Sequence, residues 1–195
     1  TSTAAPRYGP EYYALTAIPA LALAQADSQA GLLSDYQTNR IAHAAWSLAE
    51  ELETVVEDEL ASAGESSDEG EDHTILTNGL LDGLGHKVAV IGAQTGLDDA
   101  AAQMLSQALR AEGAEAVTLP RRRPLPAALD SFRPETLILV CLDDAPSPAV
   151  DLRVRQLRRR LPGTRIGIAL WSASQGTDDR KPTRSAADFV ARGMV

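Results

Sequence analysis

The apolar positions change spacing midway along the chain. In the N-terminal third they recur at three- and four-residue steps. From about His86 onward they cluster in short continuous runs separated by amphipathic stretches. Tyr12–Ala26 holds helix formers throughout, interrupted at Pro19, which is expected to kink the helix or restart it. Asp27 to Gly31 reads as a break. From Ser34 or Asp35 to Leu60 a second helix is expected, with Ile41, Ala45, Leu48, Leu52 and Val55 in one stripe widened by Trp46 and Val56. Its other face is acidic, carrying Glu50, Glu51, Glu53, Glu57, Asp58 and Glu59. Such a stripe needs a partner: Tyr12–Ala26, the following unit, or the same face, Ile41–Val56, of a second subunit.

Ala63–His73 is polar and acidic with glycine and serine, as a linker is, and Ile75–Leu84 contains the turn dipeptides Asn78-Gly79 and Asp82-Gly83. Strand–helix alternation follows. Lys87–Gly92 (KVAVIG), Thr136–Leu142 (TLILVCL) and Arg165–Leu170 (RIGIAL) are continuous apolar runs of the kind buried on both faces, and Ala116–Leu119 is a shorter strand. Helices are expected from about Leu97 to Glu112, from the Ser147-Pro148 cap to Pro162-Gly163, and over Ser185–Arg192, with a short helix or turn over Pro124–Phe132. The expected organisation is a helical segment over residues 1–62, a linker and connector over 63–85, and an α/β domain over 86–195. That domain is a flavodoxin-like parallel sheet of four strands, with helices on both faces. A fifth strand is possible only if the chain continues past Gly193-Met194-Val195, where it would begin.

Charge sharpens this division. The net charge of −9 splits into −12 over residues 1–75 and +3 over residues 76–195, so an acidic arm precedes a mildly basic domain. The overall negative charge argues against a nucleic-acid partner. The lone cysteine, Cys141, excludes an intrachain disulfide and reads as a small core residue in a buried strand. No run approaches the roughly 18–20 apolar residues of a membrane span, and no signal peptide is visible. A soluble cytoplasmic piece is expected, and sixteen arginines against two lysines suggest a GC-rich bacterial source.

Candidate chemistry is sparse. The C-terminal strand edge is the default crevice of an open parallel sheet, and its lining would be Gln94, Thr95, Asp98, Asp143, Asp144 and Ser172. Gly92-Ala93-Gln94-Thr95-Gly96 is neither a dinucleotide fingerprint nor a phosphate-binding loop. A phosphoacceptor reading has Asp143 and Asp144 after the third strand and Ser172 and Ser174 after the fourth. It lacks adjacent carboxylates at the end of the first strand and a lysine-bearing fifth strand. No nucleophile–base pair or metal cluster appears, so no catalytic residue, metal or cofactor is expected. Arg121-Arg122-Arg123 and the arginines at 153, 155, 158, 159 and 160 read as solvated, or as docking to the acidic helix or to anionic lipid.

A helical segment followed by an α/β unit resembles the cobalamin-binding modules of methyltransferases, mutases and light sensors. It resembles more closely the soluble domains of bacterial permeases of the autoinducer-2 exporter type. Their opening pattern, Tyr-x5-Pro-Ala-Leu-x-Leu-Ala-x2-Asp-x3-Gly-x-Leu, is matched by Tyr13, Pro19, Ala20, Leu21, Leu23, Ala24, Asp27 and Gly31, with Leu32 one residue early. Met104-Leu105, Phe132-Arg133-Pro134, Leu157-Arg158 and Leu170-Trp171 extend the similarity over most of the chain. The cobalamin pattern itself is degenerate. Gly96, Asp98 and Ala101 stand where Asp-x-His-x2-Gly would, so a carboxylate replaces the cobalt ligand. Val140 or Cys141 replaces a small serine, and Trp171 would fill the slot that a glycine pair opens. The resemblance implies a non-catalytic accessory or regulatory domain at the cytoplasmic side of a bacterial inner membrane, joined to the membrane-embedded part of the same polypeptide or complex. The alternative is a soluble small-ligand sensor or receiver-like domain binding at the sheet edge.

Overall fold

The computed structural model describes residues 12–65, 84–119, 121, 125–171 and 185–192, with side chains from 54 to 65 and at 125 and 126 set aside. Two helices come first: α1 (Ile18–Gln29), preceded by a π-helical turn over Tyr13–Ala17, and α2 (Asp35–Glu65). Pro19 lies in the first turn of α1, so the α-helix restarts there as expected. The wider π turn, closed by Ile18 N–H on the Tyr13 carbonyl, joins it without a gap. Helix α2 runs through Ala63–Glu65, into residues expected to be linker; residues 66–83 lie outside the description.

The α/β unit follows as β1 (Lys87–Gly92), α3 (Gly96–Ala111), β2 (Glu115–Thr118), α4 (Leu125–Phe132), β3 (Thr136–Cys141), α5 (Pro148–Arg160), β4 (Arg165–Leu170) and β5 (Phe189–Arg192). All four pairings are parallel and the order is β2-β1-β3-β4-β5, the flavodoxin-like arrangement. Two expectations are corrected. Ser185–Arg192 contains no helix: its last four residues pair with β4, Phe189 opposite Gly167 and Arg192 opposite Leu170. The fifth strand therefore precedes Gly193 rather than starting there. Local propensity loses here to tertiary contacts. Asp188 carboxylate accepts the Ile166 N–H at 2.7 Å and pairs with Arg158, while Asp188 N–H donates to the Ile166 carbonyl. The Phe189 ring then lies against Gly167, where a Cβ would collide with it, and under the Arg165 guanidinium.

Alternation along the strands makes two cores. Ala89, Ile91, Leu137, Leu139, Ile166 and Ile168 meet Leu129 of α4 and Val150, Val154 and Leu157 of α5 on one face. Val88, Val90, Val140, Leu142, Ala169 and Trp171 face the other way and share a core with Leu97, Ala101 and Met104 of α3 and Ile18, Leu21 and Ala22 of α1. Helices thus cover both faces, and part of one cover comes from chain that precedes the sheet. Helix α2 forms an outer layer. Its Ala42, Ala49 and Leu52 are buried, Ile41 and Ala45 are half-buried, and Leu48 is exposed. The packed face is therefore rotated from the expected stripe, because small alanines allow close approach to α3: a Cβ on Gly96 would sit 3.3 Å from that of Ala42. Glu53 locks the seam, pairing with Arg110 and accepting from Gln107 at 3.0 Å and Gln103 at 3.3 Å. Val55 and Val56 are among the side chains set aside.

Candidate functional site

The C-terminal ends of β1 and β3 are neighbours, and the loops leaving them carry the candidate crevice. Thr95 caps α3: its hydroxyl accepts the Asp98 N–H at 3.1 Å, and Asp98 returns the bond, taking the Thr95 N–H at 2.8 Å. Asp98 does more than an acid in a first turn normally does. The residue is fully buried. Its Oδ2 also accepts the Gln94 N–H at 2.8 Å, and its Oδ1 reaches across to the Leu142 N–H at 3.0 Å. The carboxylate ties the β1–α3 loop to the end of β3. Burial pushes its carboxyl up from the usual carboxylate range, against the pull of the three backbone N–H groups, with the nearby Asp143 charge adding to the rise.

The other expected members are also engaged by the protein itself. Gln94 Nε2 donates to Ser147 Oγ at 2.8 Å, the same hydroxyl that caps α5 by accepting the Val150 N–H. Asp143 Oδ1 accepts from Gln29 Nε2 at 2.6 Å and Gln25 Nε2 at 3.4 Å, so the end of α1 closes over the β3 edge. Asp144 is exposed, and its carbonyl accepts from Arg192 at 3.4 Å. Ser172 and Ser174 lie outside the described residues. The structure therefore brings Gln94, Thr95, Asp98 and Asp143 together and leaves Asp144 at the rim.

Cys141 is buried beside this cluster, its thiol donating to Asp143 Oδ2 at 3.4 Å. Burial first, then the charges of Asp98 and Asp143, push the thiol well above its ordinary range, so it behaves as a core residue rather than a nucleophile. Trp171 is buried in the α1-side core directly after β4.

Sequence reasoning missed a second constellation on the β2 side. Arg153 of α5 donates to the Ala93 carbonyl at 2.9 Å and the Gly92 carbonyl at 3.4 Å, and Arg121 pairs with Asp99 at 3.4 Å. Desolvation and then the Arg121 charge lower the Arg153 guanidinium from its ordinary value, with Asp99 opposing. A cleft of about 320 Å³ opens here, lined by His43 and Trp46 of α2, Gly96 and Asp99 of α3, Thr118 at the end of β2, and Arg121 beyond it. Only the run of arginines was visible in the sequence. Nothing in its spacing placed one of them on strand carbonyls sixty residues away. Arg158 and Arg160 are likewise engaged, with Asp188 and Asp130, while Arg155 and Arg159 are exposed; Arg122 and Arg123 fall outside the description.

Among the described residues no group of three or more His, Cys, Asp or Glu side chains is placed to hold a metal ion, and no helix is long and apolar enough to cross a membrane. Neither a scan against protein-family models nor a search of curated proteins returns a match for this chain.

Proposed function

We infer that this is a non-catalytic accessory or regulatory domain of a bacterial membrane permease, acting at the cytoplasmic side of the inner membrane. The observation that carries the reading is Asp98. It occupies the position of the cobalt-ligating histidine in the resembled modules, yet it is fully buried and accepts three backbone N–H groups from its own chain. A carboxylate turned inward in this way supports the loop instead of presenting a ligand, and Asp143 and Gln94 are similarly engaged. The edge that serves related folds as a binding crevice acts here as a joint between α1, β1 and β3. On this reading the domain works by contact with the membrane-embedded part.

Two measurements test it. An antibody raised against residues 86–195 is expected to detect the native gene product in carbonate-washed membranes, and to reach it only in inside-out vesicles. Recovery in the soluble fraction would overturn the assignment. Titration with hydroxocobalamin or adenosylcobalamin is expected to leave the visible spectrum of the cofactor unchanged.

The exposed position of Asp144 at the C-terminal edge of the sheet favours a second reading, a soluble small-ligand sensor or receiver-like domain binding there. Under that reading, acetyl phosphate with Mg²⁺ transfers its phosphoryl group to Asp143 or Asp144, releasing acetate. Under the accessory-domain reading both remain unmodified by mass spectrometry.

A further inference from the structure

Helix α1 is apolar on every side. No charged residue occurs from Tyr12 to Ala26, and Asp27 is the one charge in the helix. One side is accounted for by Ile18, Leu21, Ala22 and Ala24 in the core. The opposite side presents Leu23 at 56% exposure with Ala20 and Ala26 beside it, and the π-helical turn before the helix continues it with Leu15 at 78% and Thr16. At 100° per residue these five positions form one face with Leu23 near its centre and small residues beside it, a shape that lets another helix approach closely. A helix of this composition is normally enclosed on all sides.

Charge decides what encloses it. A helix that lies on an anionic lipid surface carries Lys or Arg flanking its apolar face. Tyr12–Gln29 has neither, and the neighbouring α2 exposes Asp35, Glu50 and Glu51, which such a surface repels. A two-fold contact between copies sets every residue against the same patch of its twin. At the outer face of α2 it opposes Glu50 and Glu51 to their own images. At α5 it does the same to Arg155 and Arg159. The α1 face meets its image without opposing like charges, which matters for a chain of net charge −9.

We propose that a second copy of this chain covers the outer face of α1, the two helices crossing about a two-fold axis close to Leu23. This puts the homo-oligomer seam on the uncharged helix rather than on the Ile41–Val56 face of α2, where a second subunit was one of three partners open to the apolar stripe. The interface is independent of the permease reading and stands or falls separately.

Sedimentation equilibrium of the 195-residue chain across about 1–100 μM is expected to show a monomer–dimer equilibrium that persists in about 0.5 M salt, where screened surface charges contribute little. Leu23→Glu should weaken association on the order of a hundredfold while keeping the far-UV circular dichroism of the parent; Leu48→Asp should leave the dimer intact. Because Cys141 is buried, Leu23→Cys provides the one accessible thiol and should form a disulfide-linked dimer on mild oxidation. Cross-linking well faster than that of Leu32→Cys, an exposed position outside this face, decides the question even if Leu23→Glu fails to fold. A chain monomeric at all these concentrations would overturn the proposal. So would a dimer dissolved by Leu48→Asp but not by Leu23→Glu. Binding to anionic vesicles that Leu23→Glu abolishes, without self-association, would replace the second copy with lipid.

Discussion

Replacing Asp98 probes the joint on which the functional reading rests. Asp98→Ala leaves the N–H groups of Gln94, Thr95 and Leu142 without their acceptor, at a fully buried position. An unsatisfied buried donor costs about 1–3 kcal/mol. The loop can relax toward solvent at half-buried Gln94 and Thr95 but not at Leu142, so the expected loss is roughly 3–5 kcal/mol rather than the full sum. Asp98→Asn keeps the shape and one acceptor oxygen, turns an NH2 toward at least one donor, and removes a desolvated charge; about 1–2 kcal/mol is expected. Urea denaturation of the three proteins at pH 7 measures both values. The pH dependence gives a separate signature. Burial raises the folded-state pKa of Asp98 above its unfolded value, so the folded protein takes up the proton first. This group's contribution is therefore complete below the ordinary carboxylate pKa and is lost as pH rises through the raised folded value. The gap between parent and Asp98→Asn should accordingly widen in favour of the parent as pH falls through that window. An Asp98→Ala variant that loses less than about 1 kcal/mol would refute the reasoning, because the three donors would then have found other partners and the carboxylate would be free for a ligand.

Three further outcomes follow from the same contacts. Asp188 is exposed and its pKa is depressed, by its bond to Arg158 first and the Ile166 N–H second; its contribution is present above the ordinary carboxylate pKa and lost as pH falls through the depressed value. Amide exchange over residues 185–192 should therefore accelerate in strong acid before the central strands respond, and Asp188→Asn should show the fast exchange already at neutral pH. Gly167→Ala drives a methyl into the Phe189 ring and should cost about 1–3 kcal/mol; in Gly167→Ala/Phe189→Ala most of that penalty should vanish, and an additive double mutant would show that the two residues do not touch. Cys141 should resist thiol reagents in the native protein and react at once in denaturant, since its thiol is both buried and raised in pKa.

Much of the architecture was legible because it depends on local pattern. Lys87–Gly92, Thr136–Cys141 and Arg165–Leu170 announce themselves as strands because a parallel sheet covered on both faces leaves no position where a polar residue is favoured. The cap at Ser147, the acids opening α3 and the small core character of Cys141 are equally short-range facts. The errors share a cause. Ser185–Arg192 has the composition of a helix; only the groove at Gly167 and the bonds of Asp188 to the start of β4 make it a strand, and both lie about twenty residues away in sequence. On α2 the seam against α3 keeps Ile41, Ala45 and Leu52 of the expected stripe, adds Ala42 and Ala49, and leaves Leu48 at its exposed margin. In the candidate site Gln94, Thr95, Asp98 and Asp143 lie together at the C-terminal sheet edge, where the strand pattern places them. What they do there depends on partners it could not place: Leu142 for Asp98, Ser147 for Gln94, Gln25 and Gln29 for Asp143. Periodicity reports which side of an element is apolar. Whether a carboxylate at a strand end faces a ligand or the protein itself is decided only by the tertiary structure, which brings the Leu142 N–H to Asp98 and the glutamines of α1, more than a hundred residues away, to Asp143.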